Sequence, residues 1–116
     1  MQEIRPIDIK RETIASLREL RVMMSTAQYR ALIRTSNLAT RREAARQMLV
    51  VADAYQELLK TRIDSIRGKL EANASDLMTA NKNLKESVKQ LDDLSNTLKT
   101  IAKFLDSVGK VINVIL

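Results

Sequence analysis

Apolar side chains recur every seven residues through the last two thirds of this chain. With Leu49 taken as heptad position a, the same phase continues to Ile112, and position d runs from Ala45 to Ile115. This gives roughly ten heptads, where three or four already indicate a helix that packs against another helix. The pattern therefore predicts a long heptad-patterned helix over about residues 40–116.

The repeat is weakest near its middle. Asn73, Ala80 and Ser87 occupy three successive d positions, and Gly68 lies shortly before them. Polar side chains that can cap a helix follow, so the chain has a place to kink or turn near residues 68–76.

Two architectures are compatible with this pattern. A turn gives helices over about residues 40–70 and 75–116, which can pack into an antiparallel bundle with the first helix. An unbroken helix over residues 40–116 forms a long coiled coil about 110 Å in length and needs partner chains along it. We favour the long or gently kinked helix, because a turn has no need to preserve the heptad phase.

Before this segment, apolar residues spaced by three and four predict a first helix over about residues 9–35. Asp8 is a suitable cap at its start, and the polar residues from Thr35 onward favour its end there. Thr40 and Glu43 have capping-box spacing and suggest that the next helix begins at Thr40, although this spacing also occurs by chance inside helices.

Composition supports an all-α fold. Among 116 residues there are only two Gly and one Pro, while 45% are hydrophobic and 29% are charged. Helix breakers are therefore scarce, and the balance is that of a globular or coiled-coil protein. We expect a single all-helical domain over residues 1–116.

The apolar C-terminal segment is the strongest candidate interaction site. Lys103, Asp106 and Lys110 interrupt it, so no full transmembrane span is evident, and the N-terminus has no signal-peptide pattern. We expect at least three or four helices to cover this segment, with self-association as the simplest source of them. The predicted interaction seam consists of Leu84, Leu91, Leu94, Leu98, Ile101, Leu105, Val108, Ile112 and Ile115.

No catalytic constellation is recognisable. The chain has neither Cys nor His, which excludes thiolate chemistry, imidazole ligands and the usual general base. No Gly-rich phosphate loop or metal-ligand spacing is present. We therefore expect a non-enzymatic protein without a cofactor or metal.

The net charge of +6 is concentrated near the N-terminus, where arginines cluster around the end of the first predicted helix. If a helix begins at Thr40, Arg41 and Arg42 lie in its first turn, where the helix dipole disfavours cations. A bound phosphate, anionic lipid or acidic protein surface would relieve that conflict; a solvated charged face is the alternative. The candidate anion-binding residues are Arg30, Arg34, Arg41, Arg42 and Arg46.

These observations favour a helical assembly or adaptor protein that forms homo-oligomers or binds a partner helical protein through its heptad seam. One alternative is a membrane-active protein, a pore-forming or lysis component that uses the apolar C-terminal helix. The other is a basic protein that binds or inhibits nucleic acid or an acidic protein through the arginine cluster. The sequence contains none of the familiar nucleic-acid-binding modules, so we place nucleic acid behind the other partners.

Overall fold

The computed structural model describes residues 5–89, 91 and 93–113, and this part of the chain forms six α-helices and no strand. The predicted all-α helical bundle is confirmed. The helices are α1 (Pro6–Met24), α2 (Ala27–Arg34), α3 (Leu38–Lys60), α4 (Ile63–Ala72), α5 (Ala74–Val88) and α6 (Leu94–Gly109).

The prediction of one helix over residues 9–35 is wrong, because the chain breaks between α1 and α2. The Ser25 hydroxyl donates to the carbonyl of Arg21, and the Thr26 hydroxyl donates to that of Met23. Thr26 also accepts a hydrogen bond from the Tyr29 backbone and so caps α2. These short polar side chains end one helix and begin the next.

Helix α3 begins before the predicted Thr40. Asn37 is its N-cap, and the Asn37 side chain accepts a hydrogen bond from the backbone N–H of Thr40 at 2.8 Å. The capping-box interpretation of Thr40 and Glu43 is therefore wrong, since an Asx cap three residues earlier already supplies the acceptor.

The long helix predicted over residues 40–116 is also wrong. Thr61 and Arg62 are extended and separate α3 from α4, with the Thr61 hydroxyl bonded to the carbonyl of Glu57. A second interruption precedes α6, whose N-cap Asp93 accepts a hydrogen bond from the Asn96 backbone. An unbroken helix would measure about 110 Å, whereas the longest dimension of the described chain is 43 Å.

The predicted kink near residues 68–76 is confirmed at Asn73, between α4 and α5. Backbone hydrogen bonds continue through this position, from Asn73 to the carbonyl of Lys69 and from Leu77 to the carbonyl of Asn73. The Asn73 side chain donates to the same Lys69 carbonyl at 2.8 Å. This competition with the helical ladder explains a local bend without a reversal of the chain.

Helix α1 lies at the centre of the bundle and packs against α3, α4 and α5, while α6 packs against α5 and α3. Lys10, near the start of α1, donates to the carbonyl of Thr61 just after α3, so these two helices are antiparallel. Lys110 follows α6 and forms an ion pair with Asp76 near the start of α5, which makes α5 and α6 antiparallel as well. The chain thus folds back on itself.

Two polar contacts cross the apolar core. Asn81 on α5 accepts a hydrogen bond from the Ser16 hydroxyl and donates to the Thr13 hydroxyl of α1. Gln47 on α3 donates to the carbonyl of Leu98 on α6. All four of these side chains are buried, so these bonds fix which helices pack together.

Candidate functional site

The predicted interaction seam is largely buried inside the chain itself. Leu94 is half-buried, and Ile115 lies outside the described residues. The other seam residues belong to the hydrophobic core, and six of them are at most 7% exposed, with Leu91 at 9%. The buried members are Leu84, Leu91, Leu98, Ile101, Leu105, Val108 and Ile112.

Helices of the same chain cover this seam. Helix α6 packs against α5 and α3, and Phe104 and Val111, beside the seam, are buried as well. The expectation that this segment needs another chain to cover it is therefore wrong, because α6 packs on α5 and α3 of the same chain. Lipid contact by the same residues would require α6 to separate from both neighbours. Self-association stays a prediction, and it has to use another surface.

The early part of the heptad repeat faces solvent. Leu49 is 75% exposed, Leu38 is 54% exposed and Leu59 is 48% exposed, although all three are large and apolar. Ala45 is exposed and Ala52 half-buried on the same side of α3. We call these five residues the α3 outer stripe.

Helix α3 exposes this stripe because it carries a second apolar face. Positions b, c and f of the same heptads point into the core: Ala44, Gln47, Val50, Val51, Ala54 and Leu58. Both faces cannot be buried against α1 and α6 at once. The outer stripe, which the polar residues Arg42 and Gln56 interrupt, is thus left without a partner in the described part of the chain. Large apolar side chains exposed along one side of a helix are typical of an interaction site.

The arginine cluster divides into two groups. Arg30, Arg34 and Arg41 line one groove, whereas Arg42 and Arg46 do not. Because α3 begins at Leu38, Arg41 and Arg42 are its fourth and fifth residues, and the predicted conflict with the first turn is weaker than expected.

Arg46 is bound within the chain. Its guanidinium donates to both carboxylate oxygens of Glu43, at 2.7 and 3.0 Å. The hydrogen bond from Arg46 is the main cause that lowers the pKa of Glu43, and the same bond raises the pKa of Arg46. This exposed pair supports α3 locally and leaves Arg46 poorly suited to an external anion.

The groove lies between the end of α1, α2 and the first half of α3, and its volume is about 550 Å³. Met24, Ile33, Ala44, Ala45 and Met48 supply its apolar lining, and three arginines with Tyr29 supply its polar lining. No carboxylate lines it among the residues that the structure describes. The groove is thus apolar and electropositive.

Tyr29 is a polar residue of this groove that was not among the candidate site residues predicted from the sequence. Its side chain is 1% exposed, and its hydroxyl has no hydrogen-bond partner within the described ranges 5–89, 91 and 93–113. Desolvation by this burial raises the pKa of Tyr29. Buried tyrosine hydroxyls usually have a partner, so this donor is a candidate for contact with a ligand. Only its position next to the arginine cluster could have indicated this from the sequence.

Neither a metal-ligand cluster nor a membrane-spanning helix is found in the part of the chain that the structure describes. Over the described ranges, no group of three or more carboxylate side chains is close enough together to hold a metal ion. In the same part of the chain, none of the helices combines the length and apolar character that crossing a membrane requires.

Comparison of the chain with protein-family models, with curated proteins and with solved structures gives no match. The α3 outer stripe and the arginine-lined groove are therefore the two candidate functional sites.

Proposed function

We propose that this protein is a non-enzymatic helical assembly protein that associates with a second copy of itself through the α3 outer stripe. The observation that carries the proposal is the exposure of Leu38, Leu49 and Leu59 along one side of a single helix. Helix α3 has 23 residues and is therefore about 34 Å long, which is enough for several layers of side chains to interdigitate with another helix.

The charge distribution of α3 favours a second copy as the partner. Its first twelve residues contain three Arg and one Glu, whereas its last eleven contain one Asp, one Glu and one Lys. Antiparallel pairing of two α3 helices places the basic half of each against the acidic half of the other. Such complementarity directs orientation and disfavours the parallel arrangement, in which like charges meet.

The positions of the large apolar residues suit the same arrangement. Leu38 and Leu59 lie near opposite ends of α3, and Leu49 lies close to the midpoint between them. In an antiparallel pair, Leu49 therefore faces its own counterpart, and Leu38 faces the Leu59 of the other copy. A symmetric two-fold interface follows, which is the commonest kind in soluble oligomers.

The first experiment measures solution mass as a function of concentration. We expect the unmodified protein to form dimers, and Leu49→Lys to shift the equilibrium to monomer because it places a charge at the centre of the interface. Leu49 is exposed, so the variant should fold as the parent does. Val22→Lys is the matched control: Val22 is 64% exposed but lies on α1, and its variant should associate normally. A parent protein that is monomeric at all concentrations would contradict the proposal.

Cysteine cross-linking tests the orientation, since the natural chain contains no Cys. Antiparallel pairing predicts that Leu49→Cys cross-links to itself on oxidation. Leu38→Cys and Leu59→Cys should each remain uncross-linked alone and cross-link when the two variants are mixed. Efficient self-cross-linking of all three would show a parallel interface and overturn the charge argument.

A further inference from the structure

The groove between α2 and α3 combines three features that converge on one class of ligand. Its volume of about 550 Å³ lies within the range of roughly 300–1,000 Å³ that small-molecule sites occupy. It has an apolar lining, a cationic rim and one buried donor.

The cationic rim is the first feature. Arg30 and Arg34 lie one turn apart on α2, and Arg41 faces them from α3 across the groove. None of the three forms an ion pair with a carboxylate in the described part of the chain. Like charges four residues apart on a helix repel each other, and a guanidinium can bind a carboxylate or phosphate through two parallel hydrogen bonds. An anion would relieve the repulsion and satisfy these donors.

The second feature is the Tyr29 hydroxyl. A buried hydroxyl without a partner is destabilising, and Tyr29 could avoid that cost if it were Phe. Tyr29 lines the same groove as the three arginines, and its ring is held by burial while its hydroxyl remains unpaired. A ligand oxygen that accepts from this hydroxyl would offset the cost.

The third feature is the apolar lining, which a purely inorganic anion would leave uncovered. Met24 and Met48 supply flexible side chains, and Ile33, Ala44 and Ala45 complete the surface. Methionine adapts its shape to an apolar partner more readily than branched residues do. The ligand therefore needs an alkyl portion as well as a charge.

We infer that this groove binds a single-chain anionic amphiphile, whose carboxylate or phosphate group contacts Arg30, Arg34 and Arg41 and whose alkyl chain covers Met48, the exposed methionine of the lining. Contact with the Tyr29 hydroxyl, which has almost no accessible surface, requires a small shift of the side chains around it. This inference does not rest on the proposed dimer: Ala45 belongs to both surfaces, but Leu38, Leu49 and Leu59, which carry the dimer proposal, do not line the groove. The groove volume of about 550 Å³ favours a small molecule over a protein helix.

Calorimetric titration with simple probes below their critical micelle concentrations tests the inference. Decanoate and decyl phosphate should both bind, and their relative affinities identify the preferred head group. Decanol and inorganic phosphate should bind at least tenfold more weakly, and decyltrimethylammonium should not bind. Equal binding of decanol and decanoate would overturn the inference, as would binding of inorganic phosphate as tight as that of decyl phosphate.

Single substitutions locate the site. Arg34→Gln and Arg41→Gln should each lower the affinity for decanoate about tenfold, because each removes a charge-assisted hydrogen bond. Arg42→Gln is the matched control: it removes the same charge one residue away from Arg41 and outside the groove, so its affinity should equal that of the parent. Equal losses in all three variants would show only a general effect of net charge and would overturn the site.

Tyr29→Phe should lower the affinity for decanoate several-fold and leave weak decanol binding unchanged, whereas a change in packing would affect both. Leu49→Lys, the variant that tests the dimer, should bind decanoate as the parent does, so the two proposals fail separately. Vesicles of anionic phospholipid form the last arm. Binding to vesicles without binding of monomeric decanoate would identify a membrane surface as the partner and contradict the inference.

Discussion

Gln47 donates a hydrogen bond from its side-chain nitrogen to the carbonyl oxygen of Leu98, at 2.9 Å, and thereby joins α3 to α6. The same nitrogen lies 3.2 Å from a carboxylate oxygen of Glu43. Gln47 is fully buried, and its own side-chain oxygen has no partner among the described residues. The Gln47 side chain therefore acts as a hydrogen-bond donor. The two oxygen atoms that it faces would repel a negative charge at this position.

Gln47→Glu tests that role. The substitution replaces the donor with a carboxylate that faces a carbonyl oxygen and Glu43, so the free energy of unfolding should fall by about 3 kcal/mol at neutral pH. Burial should raise the pKa of the new carboxyl, and the folded state then binds the proton more tightly than the unfolded state. The loss should therefore shrink as the pH falls toward 4.

Urea unfolding at several pH values measures this effect. Gln56→Glu introduces the same charge on the exposed side of α3 and should change stability by less than about 0.5 kcal/mol. Similar losses in the two variants would show that the charge of α3, and not the contact with Leu98, determines the result.

Asn81 has the corresponding role between α5 and α1. It accepts from the Ser16 hydroxyl and donates to the Thr13 hydroxyl and to the carbonyl of Leu77. Asn81→Ala should lower the free energy of unfolding by about 2–3 kcal/mol, because it leaves buried polar groups without partners. Asn83→Ala removes an exposed amide from the same helix and should cost much less. Equal effects in denaturant titrations would argue against the buried network.

The ion pair of Glu43 and Arg46 predicts a small dependence of stability on pH. The hydrogen bond from Arg46 lowers the pKa of Glu43 in the folded state. The contribution is therefore present above the unfolded pKa, near 4.3, and it is lost as the pH falls through the lowered folded value. Because the Glu43 side chain is 39% exposed, solvent screening should keep this contribution below about 1 kcal/mol.

Glu43→Gln should accordingly flatten the acid side of the stability curve measured by urea unfolding between about pH 3 and pH 6. Glu71→Gln removes an exposed carboxylate on α4 and should leave the slope of the parent protein. An unchanged slope in Glu43→Gln would mean that Arg46 does not stabilise the ionised form of Glu43.

The sequence predicted the helical class and a kink or turn near residues 68–76, where the structure has its bend at Asn73, because composition and polar interruptions are local properties. It did not predict the break at residues 61–62 between α3 and α4 or the reversal of direction between α5 and α6. The heptad phase continues across both, and the side chains that end these helices, such as Thr61, are also common inside helices. Where a chain reverses depends on what its faces pack against, and that is a tertiary property.

The candidate site was predictable only in part. The sequence showed the positive charge of the arginine cluster, but Arg41 and Arg42 are neighbours in sequence and both are exposed. Only the packing of α2 on α3 places Arg41 in the groove and leaves Arg42 outside it. No sequence pattern around Tyr29 indicated a functional role. In α3 the heptad pattern identified an apolar face, but this face is exposed to solvent. A second apolar face of the same helix packs in the core.

The heptad positions are largely buried in α6 and largely exposed in α3, so two leucines at the same heptad position can be compared. Leu105 and Leu49 are both at position a, yet Leu105 is 1% exposed and Leu49 is 75% exposed. Leu105→Ala should lower the free energy of unfolding by about 2–5 kcal/mol, because it leaves a cavity between α6 and its neighbours. Leu49→Ala should change the stability of the monomer by less than about 0.5 kcal/mol.

Protein concentration separates folding from assembly in this comparison. At low concentration, where dimers dissociate, the two variants should differ as stated above. At high concentration, association of the parent protein adds to its apparent stability by mass action, and Leu49→Ala should lose that increment while Leu105→Ala keeps it. A large loss for Leu49→Ala in dilute solution would mean that this leucine is buried within one chain, and a negligible loss for Leu105→Ala would mean that α6 does not pack on α5 and α3.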